Sequence, residues 1–525
     1  MSEQEYIVVV HRGVDLSVVD AEISASTGSG PIPNRAVDVA NARVGSNRMT
    51  HWMLTEDEAT ALELDERILS VEIPPELRDD ITIGLNASQS GQFTRGTNYL
   101  DPSSDVNWGL RRIGEATNVY GNALTVAGNH DYALDGRGID IVIQDSGIQA
   151  DHPDFNDYDG VSRVQQIDWY TASGISGTQS ANHDRDFDGH GTHVAGTAAG
   201  LTYGFAKGAR IYSQKLSGLE GTGDTGTGIS VTDAFDAIRL WHNAKTDDRP
   251  TVVNMSWGYS SDRGASNPTN GVYRNSGWSY AGQTDQQLWD QYGIVQKISN
   301  NRNVPGQVSS VNADVEDMID AGIHVCIAGG NDYYKAEVFG GADYNNQVYV
   351  GSGPPAFYNR PSSPYSDQAF IVGNLDDSVF NDGGTYKDRP RGSSKRGPAV
   401  NIWAPGSSIM STASTIANAS YPTTTYPPDT NYKIMSISGT SMASPQVAGT
   451  IALYLQSDIT MTPSQLFDKV VGDTKSVIYS TGTDQSYSSV TTSLVGSPNR
   501  HLFNRYAVSN PYSISGSVTI TGLSE

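Results

Sequence analysis

The stretch Gly138-Ile139-Asp140-Ile141-Val142-Ile143-Gln144-Asp145-Ser146-Gly147 decides the fold. Its apolar run is short and rich in β-branched residues, as in a strand buried on both faces, and it stops at a polar Asp-Ser-Gly turn. Outward from it, Arg210–Leu216, Thr251–Met255 and Ile323–Ala328 have the same character. Between them, apolar residues recur at helical spacing. Val231, Ala234, Phe235, Ile238 and Trp241 share one face, and Val311–Ala321 and Met442–Leu455 read the same way. Strands alternating with helices predict an α/β domain with a mostly parallel central sheet and helices on both faces. Asp145 then falls at the carboxyl end of a sheet strand, where open α/β sheets collect ligand sites.

The flanking sequence divides the chain further. Residues 1–83 predict a small α+β domain, with strands at Tyr6–Val10, Met49–Leu54 and Ile68–Ile73. Thr55-Glu56-Asp57-Glu58 has capping-box spacing and predicts a helix running to about Leu64. Residues 84–106 are polar and carry no hydrophobic period, which predicts a linker. The α/β domain spans 107–506, with polar stretches near 259–307 and 332–367 that read as surface insertions. The tail, 507–525, contains Ser513–Thr521, which reads as one added strand.

Composition narrows the function classes. Among 525 residues, 34 Lys and Arg face 58 Asp and Glu, a net charge of −24. Phosphate backbones and anionic lipid repel such a chain, so nucleic-acid and membrane partners are not expected. One cysteine, Cys326, excludes an intrachain disulfide framework and any multi-cysteine zinc site, and it reads as a buried strand residue. The opening MSEQEYIVVV lacks a basic region and a long apolar run, and no stretch approaches the length of a membrane span. Synthesis in the cytoplasm is expected, with release by a signal-less route or on a particle left open.

Three segments carry the chemistry. They are Gln144-Asp145-Ser146-Gly147, Asp188-Gly189-His190-Gly191-Thr192-His193, and Ser438-Gly439-Thr440-Ser441-Met442-Ala443-Ser444-Pro445. Asp145, His190 and Ser441 follow one another in an order known for nucleophile–base–orienter triads. His190 and Ser441 each open a helix, and a helix N-terminus offers free N–H groups to an oxyanion. The residues after His190 are small, which lets that helix approach the sheet closely.

At these residues the chain resembles a subtilase, the subtilisin-like serine peptidase family. Asn254-Met255-Ser256-Trp257-Gly258 is similar to that family's substrate-binding strand, and Ala328-Gly329-Gly330-Asn331 to the turn carrying its oxyanion-hole asparagine. Thr202-Tyr203-Gly204-Phe205-Ala206 resembles the proteinase K branch, and the calcium-binding insertion of many bacterial relatives is missing there. Residues 5–73 resemble the propeptide, and Trp108-Gly109-Leu110 the start of many mature domains.

The resemblance implies an autoprocessing serine endopeptidase. Ser441 would be the nucleophile, His190 the base and Asp145 its orienter, with Asn331 and the Ser441 N–H as oxyanion donors. Ser256, Trp257 and Gly258 would bind substrate, faced by a rim at Gly221–Gly228 that includes Gly221 and Gly223. It implies polypeptide substrates, the N-terminal domain as intramolecular inhibitor, a processing site between 81 and 106, and a monomer. No cofactor is required; calcium enters as a structural ion without an assignable site, and no metal ligand is named. Asp154, which matches a calcium-binding family position, reads as a surface residue, and Asp184–Asp188 as a solvated approach to the His190 helix. His193 is assigned to packing. Activity is expected to rise through roughly pH 6–7.5, as an ordinary histidine loses its proton. Broad specificity with apolar or aromatic residues before the cut is expected. Two departures stand out: Tyr259 replaces a second Gly, and Gln144 replaces an apolar residue before Asp145. The rival reading is a binding or structural component that keeps the fold without turnover.

Overall fold

The computed structural model describes residues 3–11, 13–25, 29–42, 46, 48–74, 87–95, 105–224, 226–264, 266–295, 302–351, 354–418, 421–480 and 493–507. The chain divides into two compact units, Met1–Gly84 and Leu85–Glu525.

In the first unit, Gln4–Val10 pairs antiparallel with Met49–Leu54 on one side and Ile68–Glu72 on the other, and Val39–Asn41 adds an outer strand. Tyr6, Val8, Val10, Trp52 and Leu54 bury one face of this sheet against two helices, Leu16–Ser24 and Glu56–Leu62. The Thr55–Glu58 capping box forms as its spacing predicts. The helix Leu16–Ser24, capped by Asp15, was not anticipated.

The second unit is built on a sheet whose strands lie in the order Thr385–Pro390, Phe370–Asp382, His324–Ala328, Thr251–Met255, Asp140–Asp145, Arg210–Lys215 and Val164–Gln165. All neighbours along this path are parallel except the first pair, and Ile402–Pro405 runs parallel beside Phe370–Asp382. Side chains of a strand alternate between faces. Ile141 and Ile143 accordingly pack with the helices His190–Ala199 and Thr440–Ser457. Val142 packs on the other face with Val231–Ala244 and Ser309–Asp320. This is the α/β architecture expected, a mostly parallel sheet with helices on both faces. The chain leaves the Asp140–Asp145 strand for one side of the sheet and later returns to pair on its other side, so Asp145 ends the strand at a topological switch point.

The linker expected over 84–106 needs correction. Ala87–Thr94 is a strand of the larger unit, paired antiparallel with Thr125–Tyr132 over its whole length and parallel with Asp105–Asn107. Phe93 is fully buried and Thr94 Oγ1 donates to Asp105 Oδ1 at 2.7 Å. The partner Thr125–Tyr132 is largely solvated, so a backbone ladder with one apolar anchor holds the pair and no alternating pattern marks the sequence.

The stretches 259–307 and 332–367 also differ from simple surface insertions. They fold together. Pro268–Tyr273 and Ser276–Ser279 from the first join Gln347–Val350 and Ala356–Phe357 from the second in one four-stranded sheet. Trp278, Leu288, Trp289, Ile294, Val304, Tyr334, Val348 and Tyr358 form its core. That core is aromatic and shared between distant segments, so neither segment shows a period alone. Residues 508–525, where a last strand was expected, lie outside the described residues. Among the described residues no helix is long and apolar enough to cross a membrane.

Candidate active site

Asp145 is the last residue of its strand and is 1% exposed. His190 opens its helix directly across from it, and His190 Nδ1 lies 2.8 Å from Asp145 Oδ1. The closeness depends on Gly191: a β-carbon there would stand 2.2 Å from the Gly147 carbonyl oxygen and 3.2 Å from Asp145 Cβ. Asp145 Oδ1 also accepts from the Ser146 N–H at 2.8 Å. Burial works against a charged imidazole at His190. The charge of Asp145, its hydrogen bond, and the charges of Asp188 and Asp186 outweigh that and hold the group up at about 9.

Ser441 lies in the first turn of the Thr440–Ser457 helix. Its hydroxyl donates to the Ser256 carbonyl at 3.0 Å rather than to the imidazole. The Ser256 hydroxyl donates back to the Ser441 carbonyl at 2.9 Å. That carbonyl is free because Pro445, four residues on, has no N–H to offer it. The end of the Thr251–Met255 strand is thus tied reciprocally to the turn bearing Ser441.

Asn331 follows the His324–Ala328 strand. Its amide oxygen accepts from Thr440 N at 2.9 Å and Thr440 Oγ1 at 3.2 Å, which assigns the amide orientation and turns Nδ2 outward. A methyl group built on Gly439 would lie 3.3 Å from Asn331 Nδ2 and 3.6 Å from Ser441 N. Two donors therefore converge on one small volume beside Ser441.

Gly221 and Gly223 lie in the loop after the Arg210–Lys215 strand. A β-carbon on Gly221 would meet the backbone of Phe187 and Asp188 at 2.2–2.4 Å, so this rim backs onto the His190 turn. A buried ion pair between Lys215 and Asp224 braces the loop. Trp257 is half buried and donates from Nε1 to Gln144 Oε1 at 3.1 Å, and Gly258 is exposed beside it.

The Subtilase family's sequence pattern matches residues 136–496. The chain belongs to the subtilase family. It is a serine-type endopeptidase, with polypeptides as substrates. An extracellular serine proteinase of Thermus sp. (strain Rt41A) is 26% identical over 407 residues, 76% of this chain and 69% of that one. A cuticle-degrading serine protease of Arthrobotrys oligospora is 24% identical over 507 residues, 96% and 91% of the two chains. Subtilisin-like protease 4 of Arthroderma benhamiae is 29% identical over 382 residues, 71% and 65%. A crystal structure of a cold-adapted subtilisin-like serine proteinase aligns with a TM-score of 0.46 at 22% identity, covering 76% of this chain and 97% of that one.

Several residues of this subtilase's site escaped the sequence reading. Asp186 was placed in a solvated approach but is fully buried. Its carboxylate accepts from Ser146 Oγ at 2.9 Å, Gly189 N at 2.7 Å, Thr192 N at 2.8 Å and Thr192 Oγ1 at 2.5 Å. It caps the His190 helix, whose own N-cap is a glycine without a side chain, and joins that helix to the Asp145 turn. The signal was the acidic residue before a Gly-opened helix. Asp154 is likewise buried, not a surface residue, and accepts from Thr202 N at 2.9 Å. Gln144 is explained by a buried chain of amides: it donates to Gln214 Oε1 at 2.9 Å, and Gln214 donates to the Ala234 carbonyl at 3.0 Å. His193 is buried, with Nε2 2.9 Å from the Ile409 carbonyl oxygen, and burial pushes it down to about 3. Cys326 is fully buried, and burial pushes its thiol well up. Among the described residues no three His, Cys, Asp or Glu side chains gather as a metal site would require.

Proposed function

We propose that this subtilase cleaves peptide bonds with Ser441 as nucleophile, His190 as general base and acid, and Asp145 as the residue that orients the imidazole. The observation that carries the reading is the 2.8 Å contact between His190 Nδ1 and Asp145 Oδ1. With its proton on Nδ1 held by Asp145, the imidazole keeps Nε2 free to accept the Ser441 proton. Rotation of the Ser441 hydroxyl away from the Ser256 carbonyl begins the reaction, and such bonds commonly tighten only with substrate present. Ser441 Oγ attacks the scissile carbonyl, whose oxygen moves into the space between Asn331 Nδ2 and Ser441 N. His190 then gives its proton to the leaving amine as the C–N bond breaks. Water repeats the sequence to free the acyl group.

The peptide's acyl side lies along the edge Ser256–Gly258, opposite the rim at Gly221–Gly228. The unit Met1–Gly84 serves as folding aid and intramolecular inhibitor, removed by the enzyme itself, and the mature protein works as a monomer. A fluorophosphonate probe tests the central claim: it labels Ser441 in the wild-type protein and fails to label Ser441→Ala. Single and double alanine variants at Ser441, His190 and Asp145 lose activity far less than multiplicatively, because the three act as one unit. Wild-type protein that takes no probe while folded would favour the non-catalytic reading.

A further inference from the structure

We propose that Lys395 determines specificity: its side chain closes the base of the pocket for the residue before the cut, leaving a shallow recess with a polar floor. This rests on the reading of the site given above. An extended chain on the Ser256–Gly258 edge, with its carbonyl oxygen at Asn331 Nδ2 and Ser441 N, directs that residue's side chain between Gly258 and the turn Gly329–Asn331. The two glycines leave room on the walls of this gap, and each is backed by a polar side chain.

A β-carbon on Gly330 would lie 3.1 Å from Lys395 Cδ, 3.2 Å from Cε and 3.4 Å from Nζ. The Lys395 N–H donates to the Gly330 carbonyl at 2.8 Å, so the lysine is fixed along that wall. On the other wall, a β-carbon on Gly258 would lie 3.4 Å from the Ser363 carbonyl oxygen and 3.9 Å from Ser362 Cβ. Lys395 Nζ donates to Ser362 Oγ at 2.5 Å. The ammonium therefore joins the two walls behind the gap. It also pairs with Asp332 Oδ2 at 3.1 Å; the Lys395 side chain is fully buried, whereas that of Asp332 is 20% exposed.

Two consequences follow for the substrate. First, the lysine stem occupies depth that a large ring would need, so an aromatic residue meets a filled pocket. Second, the floor is polar rather than charged: the fully buried Lys395 ammonium lies behind the half-buried Ser362 hydroxyl and does not itself face the recess. Asp332 offsets Lys395, and the Ser362 hydroxyl, whose oxygen already accepts from an ammonium, donates to no acceptor among the described residues and keeps its O–H for a ligand. An apolar side chain over that hydroxyl leaves the donor unpaired, whereas a short side chain ending in a carbonyl oxygen pairs with it. The recess thus selects Asn or Asp, unlike the broad apolar or aromatic preference expected from the sequence.

The test uses the full chain, incubated until peptidase activity is constant and titrated with a fluorophosphonate to count active sites. Four peptides differ only in the residue before the cut: Asn, Asp, Leu or Phe. The expected kcat/KM for the better of Asn and Asp exceeds that for Phe by about tenfold or more. Asn above Asp shows that Asp332 cancels the ammonium for the substrate; Asp above Asn shows that its charge is still felt; either supports the assignment. Lys395→Ala opens the base and moves the ratio toward Phe by about tenfold. Should that variant fail to fold, Ser362→Gly, which leaves the Lys395–Asp332 pair intact, decides the matter by lowering the Asn-to-Leu ratio. A wild-type preference for Phe or Leu, or ratios unchanged within about twofold in the folded variants, overturns the role of Lys395 while leaving the Ser441 reading intact. Wild-type protein that takes no probe overturns the Ser441 reading, and this assignment with it.

Discussion

Asn331→Ala isolates one part of the proposed machinery. Two donors, Asn331 Nδ2 and Ser441 N, point at the volume beside Gly439, at 3.3 and 3.6 Å from a methyl group placed there. The substitution removes the first and leaves the second, which belongs to the backbone. Loss of one such donor costs about 2.7–4 kcal/mol, or 10²–10³ in kcat; that magnitude was established on a subtilisin, so it is borrowed from this family. The donor meets charge that exists only in the transition state, so the loss falls on kcat while KM stays within about twofold. Folding is little affected. Asn331 is exposed, so its truncation opens a path for water to the buried Thr440 N and Oγ1 that it leaves without an acceptor. The assay is steady-state hydrolysis of one peptide by probe-titrated protein, with circular dichroism and a thermal melt to confirm the fold. A kcat loss under tenfold, or a loss confined to KM, would refute the claim that Asn331 Nδ2 meets the developing oxyanion.

Three other outcomes are expected. A charged imidazole cannot accept the Ser441 proton, and Asp145, Asp188 and Asp186 hold His190 up at about 9, so kcat/KM falls as pH drops through that region and not through the roughly pH 6–7.5 that an ordinary histidine led the sequence to suggest. Asp188→Asn moves this acid limb down, and a wild-type limb centred at or below an ordinary histidine's value of about 6.5 would contradict the electrostatics. Because Ala87–Thr94 is laddered into the larger unit, self-cleavage is expected before it, between 81 and 86, releasing a fragment of about 9 kDa in proportion to chain length. Ser441→Ala protein stays at 56.2 kDa by intact mass spectrometry; wild-type protein that remains uncut yet hydrolyses peptides would remove the inhibitor assignment. Arg112 and Asp388 form an ion pair at 2.6 Å with side chains 0% and 1% exposed. Arg112→Met strands the carboxylate and costs about 3–5 kcal/mol in denaturant unfolding, and a loss below about 1 kcal/mol would show the pair to be dispensable.

What the sequence disclosed and what it concealed divide along a physical line. The buried parallel strands and their helices were legible because a two-faced core demands apolar runs of one kind in each element: Ile141, Val142 and Ile143 suffice to mark a strand covered on both sides. The helix starts at His190 and Ser441 were legible because glycine and small residues precede and follow them. The strand Ala87–Thr94 was not, since a backbone ladder leaves no trace in polar side chains. The shared core of the two insertions was not, because Trp278 and Tyr358 become neighbours only after 80 residues of chain return to the same sheet.

The polar residues that position the site were the hardest to read, and for a common reason. Asp186, Gln144, Thr440 and Lys395 are ordinary surface types whose roles depend on burial. A buried polar group persists only where its hydrogen bonds are met, and here the partners lie far away in sequence: Asp186 with Ser146, Thr440 with Asn331, Gln144 with Trp257, Lys395 with Ser362. Each such bond links an element that carries a reacting group or substrate wall to one that does not move with it in the chain. The reacting groups are recognisable because their chemistry permits few residue types. Their supports are recognisable only once the fold has shown which polar atoms are removed from water, and so the buried Lys395, rather than the proposed triad, is where the specificity experiment looks for what sets this subtilase apart.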